Sequence, residues 1–189
     1  MIGVLVYVVV DIVLQLMPPH YSAISQAESD LAVGPFGWIM SINFFGRGIT
    51  SAALIVAIVS TGPRARLRTI GAGLLAVAGV CSALIAFFPT DIPSRGGVAP
   101  STVHGIVHVV GASSGFVFAL AAFWLLTFWL PERSRVADAF LGVASIGLVF
   151  LGVTVVAVPD LLGLAERVCL LGILGWVFVV ARKLRSASS

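Results

Sequence analysis

The chain has 189 residues, of which 59% are hydrophobic and only 10% charged, and its mean hydropathy is +1.12. A soluble domain carries about 25% charged residues, so this chain has too few to coat a water-facing surface and reads as an integral membrane protein. Its net charge of +3 comes from short basic clusters beside apolar runs, a pattern that orients helices and meets anionic lipid rather than nucleic acid.

A helix needs about 20 apolar residues to cross the hydrocarbon core. In chain order the candidates are 2–18, 36–61, 67–88, 104–130, 136–158 and 161–181. The first only just qualifies. It has no Lys or Arg ahead of it and Asp11 interrupts it, so a retained helix is expected rather than a cleaved signal. Prolines mark the joints: Pro18 and Pro19, Pro63, Pro89 and Pro93, Pro131 and Pro159. Proline lacks the amide that would continue a helix. Backbone in lipid must satisfy its own hydrogen bonds, which leaves helices or closed barrels, and these runs are too long and uniformly apolar for barrel strands. The expected fold is all-α: a polytopic membrane protein with six transmembrane helices, one domain over 1–189.

The connections differ in charge. Arg64, Arg66 and Arg68 lie between the second and third helices, Arg133 and Arg135 between the fourth and fifth, and Arg182, Lys183 and Arg185 after the sixth. The other connections hold only Arg95, with Arg167 just inside the sixth helix. The positive-inside rule places the first group, and both termini, in the cytoplasm of a plasma-membrane protein. Gly111 and Gly115, four apart on one face, are expected at a helix contact. Cys81 and Cys169 sit in apolar runs with no metal-binding spacing and read as packing residues.

The chemistry-bearing residues gather toward the outward end. The fourth helix opens with HGIVH, which stacks His104 and His108 on one face. This spacing suits a shared metal, completed by Asp91, Glu166 or His20, although the glutamate of the HExxH motif is absent. A hydrogen-bonded histidine pair and a proton-transfer pair are the other readings. Haem fits poorly, because two histidines on one face cannot supply opposite axial positions. Glu166 and Arg167 point about 100° apart on the last helix, so Glu166 is expected to reach His104 or His108. Arg167 is expected to clamp Asp91, Asp160 or an anionic headgroup. Deeper down, Asp11 on the first helix matches the depth of Asn43 and comes within reach of Arg47 on the second. An unpaired charge in the bilayer is costly, so an Asp11–Arg47 pair fastening the two helices is expected.

These motifs resemble a family. ISQAESDLAVGPFGWIM followed by NFFGRG is similar to the opening of the six-span prokaryotic membrane proteins called domain of unknown function 998, with Ser29, Asp30, Gly34, Gly37 and Trp38 at the matching places. FFPTD and HGIVH resemble its second signature through Phe88, Pro89, Asp91, His104 and His108, and GLAERVCLLGILGW resembles its last helix through Glu166 and Arg167. The first helix, interrupted by Asp11, departs from the pattern. The resemblance implies fold and topology and no reaction.

Three functions stay open from sequence. The first is acid/base or metal-assisted chemistry on a lipid or lipid-linked substrate, with His104, His108, Asp91, Glu166 and Arg167 at an outward mouth. The second is a non-catalytic accessory subunit or scaffold of a membrane complex, or a small-molecule or lipid-binding module, and the third is a small transporter. No cofactor is expected, a divalent metal on His104, His108 and Asp91 being the minor alternative. The expected partner is membrane lipid, with other membrane subunits in the accessory reading.

Overall fold

The computed structural model describes residues 1–17, 19–92, 100–130 and 132–186. Pro18, Pro93, Arg95 and Pro131 lie outside the described residues. The described residues form six α-helices: α1 (Ile2–Gln15), α2 (Gly37–Ser60), α3 (Arg66–Ile85), α4 (Val103–Trp129), α5 (Arg135–Ala157) and α6 (Leu162–Ser186). Single 3-10 turns at Glu28–Ala32 and Pro159–Leu161 interrupt two connections. Helices α2 to α6 are long and apolar enough to cross a membrane, and α1 is a shorter apolar helix. At 1.5 Å per residue, the 14 residues of α1 span about 21 Å, short of a hydrocarbon core of about 30 Å. The described fold is therefore five long apolar helices with a sixth short one, where six membrane spans, the first only just long enough, were expected.

The ends of α1 and α6 depart from the hydropathy pattern for physical reasons. Helix α1 stops at Gln15, and its last turn tightens as Met17 donates to the Leu14 carbonyl at 3.1 Å. Two prolines follow, and a residue ahead of proline is pushed out of helical geometry. Helix α6 continues to Ser186 through Arg182, Lys183 and Arg185. Hydropathy loses it where the charges begin, but cations suit the negative end of a helix.

Helix α3 packs along α2 and α4, and α5 packs along α6, whereas α4 and α5 touch little. Small residues set the close contacts. Gly111 and Gly115 face Ile85 and Cys81 of α3, as their spacing predicts. Gly147 lies against the backbone of Cys169, and Gly172 against that of Ala144, so a side chain at either place would collide with the opposite main chain. Helices in lipid gain little from apolar burial and associate through such close packing. Trp176, fully buried, stacks on Phe123 with ring centroids 4.0 Å apart. Its indole N–H donates to Thr127 Oγ1 at 2.9 Å, so the largest core side chain is satisfied.

The connections sort by end. Those after α1, α3 and α5 meet at one end, where Ser25, Thr90 and Asp160 line a common cavity. At the opposite, basic end Trp129 Nε1 donates to the Pro63 carbonyl at 3.4 Å, and Lys183 pairs with Glu132 at 3.4 Å. Arg68 is buried there. It donates to the carbonyls of Val59, Thr61 and Gly62 at 3.3–3.5 Å, satisfying acceptors that the end of α2 leaves open.

Gly172→Leu is expected to force α5 off α6 and lower stability by about 1–3 kcal/mol or more. Gly142, with open space around it, tolerates Ala with no loss and a gain of up to about 1 kcal/mol from helix propensity. Thermal unfolding of both variants in one detergent checks the pair.

Candidate functional site: a docked connection and the cavity beside it

A polar stripe runs along α1. Tyr7, Asp11 and Gln15 follow at intervals of four and share one helix face. Gly3 abuts Thr50 of the antiparallel α2, which brings Tyr7 level with Arg47 and Asp11 one turn away from it. Arg47 accordingly donates to the Tyr7 hydroxyl at 3.4 Å and to Ser82 Oγ at 2.8 Å. Its guanidinium carbon lies 5.4 Å and 5.6 Å from the ring centres of Tyr7 and Phe44. Ser82 passes its own proton to the Phe44 carbonyl at 2.9 Å. Asn43 donates to the Tyr7 carbonyl at 3.1 Å. The expected Asp11–Arg47 pair is thus replaced. Asp11 accepts from Gln15 at 2.6 Å and faces Arg167 of α6 at 3.9 Å. Helix register is the reason: it seats a tyrosine where an aspartate was expected.

The connection between α1 and α2 folds back into the bundle. Tyr7 donates to Glu28 at 2.7 Å, and the Glu28 amide donates to Glu166 of α6 at 2.6 Å. Glu28 is 2% exposed. Arg167 reaches the same connection from α6, donating to the carbonyls of Ala23 at 3.1 Å and Gln26 at 3.4 Å and to the Tyr21 hydroxyl at 2.8 Å. Tyr21 in turn sits on the carbonyls of Gln26 and Ala27. Gly163 lets this backbone lie directly on the first turn of α6, where a side chain would strike Gln26 and Ala23. Arg167 therefore holds a loop, and its partners are Tyr21, loop carbonyls and Asp11 rather than Asp91 or Asp160.

Burial, followed by the charges of Glu166 and Asp11, pushes the Glu28 carboxyl from its usual 4.5 up to about 8, against the pull of Arg47 and Tyr7. Burial also raises Asp30 to about 6, opposed by its Ala27 hydrogen bond and by Arg167. Burial raises the Tyr21 phenol against the pull of Arg167. Asp91 moves the other way: hydrogen bonds from Thr102 and Ser101 hold its carboxyl below the usual range. Those bonds come from the amides of Ser101 and Thr102 at 2.7 and 2.8 Å and from the Thr102 hydroxyl at 2.7 Å. Thr102 then accepts from the Gly105 amide at 3.0 Å, capping α4.

The two histidines part company. His104 is exposed and lies beside the Phe88 ring, centroids 5.4 Å apart. His108, one turn deeper, is 2% exposed, and its Nδ1 lies 2.6 Å from the Phe88 carbonyl. A carbonyl only accepts, so Nδ1 carries the proton and Nε2 presents a lone pair. Among the described residues the buried Nε2 has no partner, which costs about 1–3 kcal/mol for a buried polar atom. The expected convergence of His104, His108 and Asp91 on one ligand does not occur. Among the described residues no group of three His, Cys, Asp or Glu side chains is placed to hold a metal ion.

His108 instead lines a cavity of about 430 Å³ between α4, α5 and α6, at their ends away from the basic clusters. Its polar wall includes Ser29, Asp30, Asp91, Asp160 and Glu166. Its apolar wall includes Ala112 and Phe116 of α4 and Leu151 and Val155 of α5. The cavity thus occupies the seam where α4 and α5 part, roofed by the docked connection. Of the residues singled out from sequence, Asp91, His108 and Glu166 meet here. His104 and Arg167 are not among its lining residues, and Asp11, Asn43 and Arg47 belong to the network beneath. Glu28, Tyr7 and Tyr21 were missed. The one available signal was the four-residue spacing of Tyr7, Asp11 and Gln15.

Fold and site together define a multi-pass membrane protein with a polar network under one end and a cavity beside it. The chain belongs to the family described as protein of unknown function DUF998, whose model matches residues 1–183. No curated protein and no solved structure matches it.

Because the folded state holds the Glu28 proton more tightly than the unfolded chain, this group's contribution is full below about pH 4.5 and is lost as pH rises through about 8. The wild-type thermal midpoint should fall between about pH 5 and pH 9. Glu28→Gln keeps an acceptor for Tyr7 and removes the titration, so its profile should be flatter. A slope equal to the wild type's would remove Glu28 as the cause.

Proposed function

We propose that the protein binds an amphiphile, a lipid or lipid-linked compound, in the cavity between α4, α5 and α6. The polar head sits under the docked connection and the apolar chain leaves between α4 and α5. The positive-inside rule puts this mouth on the extracytoplasmic side of a plasma membrane, because the basic clusters lie at the other end. The single observation that carries the reading is the cavity itself: about 430 Å³ at a helix seam, with a polar upper wall and an apolar lower one. Binding sites of this kind are concave, mostly apolar, and carry a few convergent polar groups. Val109 and Val155, both partly exposed at 42% and 46%, flank the seam on the side that lipid would meet. His108 is the group assigned to proton transfer with the ligand, because its Nε2 lone pair is free.

The metal-assisted version loses its ligand set, since Asp91 is committed to the start of α4 and His104 points away.

Ala112→Trp fills the seam, and Val117→Trp places the same bulk on an exposed face of the same helix. Native mass spectrometry of the protein purified in mild detergent should show a retained lipid in the wild type and in Val117→Trp. The Ala112→Trp variant should lose it by tenfold or more at an unchanged thermal midpoint. Equal retention in all three would place bound lipid elsewhere and remove the cavity as its site.

A further inference from the structure

We infer that the head group taken by this cavity is cationic and a hydrogen-bond donor, an amine-bearing lipid rather than an acidic one. The inference rests on the amphiphile reading above and names the ligand class.

Two independent features of the wall point the same way. The first is the sign of its charges. Asp30 comes from the connection after α1, Asp91 from that after α3, Asp160 from that after α5, and Glu166 from α6 itself. Four separate stretches of chain thus bring carboxyl groups to one space, Asp30 and Asp160 beside Asp91, which already accepts from Ser101 and Thr102, and Glu166, which accepts from the Glu28 amide. Among the described residues that line it, none is Lys or Arg. Among the described residues the two nearby guanidinium groups are used elsewhere: Arg47 on Ser82 and Tyr7, and Arg167 on Tyr21 and backbone carbonyls. An anionic head would enter a field of its own sign, where like charges repel.

The second feature is His108. Its side chain is 2% exposed, it lines the cavity, and its Nε2 has no partner among the described residues. With Nδ1 donating to the Phe88 carbonyl, Nε2 is an acceptor, and what completes it must donate. An ammonium offers three donors and no acceptor, so it suits both the orphan nitrogen and the carboxylates. A carboxylate or a phosphate dianion suits neither.

The test uses three amphiphiles with one chain and three heads: oleylamine, oleyl alcohol and oleate. Each is titrated against the delipidated full-length protein in a neutral detergent, with binding followed by native mass spectrometry. The Ala112→Trp variant is run beside it to subtract partitioning into the micelle. Oleylamine should bind at least tenfold more tightly than either of the others. Asp30→Asn combined with Asp160→Asn should bring the three within about threefold of one another while the thermal midpoint holds. If that double variant does not fold, Asp160→Asn alone, at an exposed turn, should still reduce the preference for the amine. Binding that Ala112→Trp blocks, but with oleyl alcohol or oleate equal to or better than oleylamine, overturns the head-group inference and leaves the amphiphile site standing. Binding of all three that Ala112→Trp does not alter overturns the site itself.

Discussion

Burying Glu28 is the constraint on which the rest of this end of the molecule depends. A carboxyl cannot be taken out of water without partners, and Glu28 finds them only if several elements arrive together. Tyr7 of α1 must donate to it, and Glu166 of α6 must accept from its amide. Tyr7 is in turn braced by Arg47 of α2, which leans on Ser82 of α3. One loop residue thereby ties four helices. The docked connection becomes the roof of the cavity, so the geometry of the space is set by a side chain that does not line it.

The chain's two tyrosines do related work in this arrangement. Each places a hydroxyl between a guanidinium and oxygen acceptors: Tyr7 between Arg47 and Glu28, Tyr21 between Arg167 and the carbonyls of Gln26 and Ala27. A phenol is apolar along its body and polar at its tip, so it can carry a hydrogen bond through a packed interface. Direct ion pairs are correspondingly few here. The one between Asp11 and Arg167 is 3.9 Å long, and Arg47 has neutral partners.

The helices were legible because hydropathy and proline placement report them directly. α4 is found at Val103–Trp129 where 104–130 was expected. The close contacts of Gly111 and Gly115 were legible too, since small residues four apart have few other uses in an apolar helix. The site was legible only in part. Asp91, His108 and Glu166 come together because helix ends bring them to one side, which counting along the chain can show. That His104 points out and His108 in depends on where Phe88 and Phe44 pack, and no spacing reports that. Glu28 was hidden for a different reason. It sits in a polar connection, where an acid needs no explanation, and only the fold reveals that the connection is buried. The Asp11–Arg47 expectation matched depth correctly, yet depth does not say which residue faces which across an interface.

The basic end has a consequence for how the protein meets a bilayer surface. Eight basic residues gather there by sequence, but they are not equivalent. Arg68 is buried on the last carbonyls of α2, Lys183 is engaged with Glu132, and Arg133 lies 3.2 Å from Asp138. That leaves Arg64, Arg66, Arg135, Arg182 and Arg185 exposed. Among the described residues these five exposed cations are all guanidinium, a flat fork that grips phosphate oxygens in pairs where an ammonium acts as a point charge. Any anion meeting this end would meet forked donors rather than point charges.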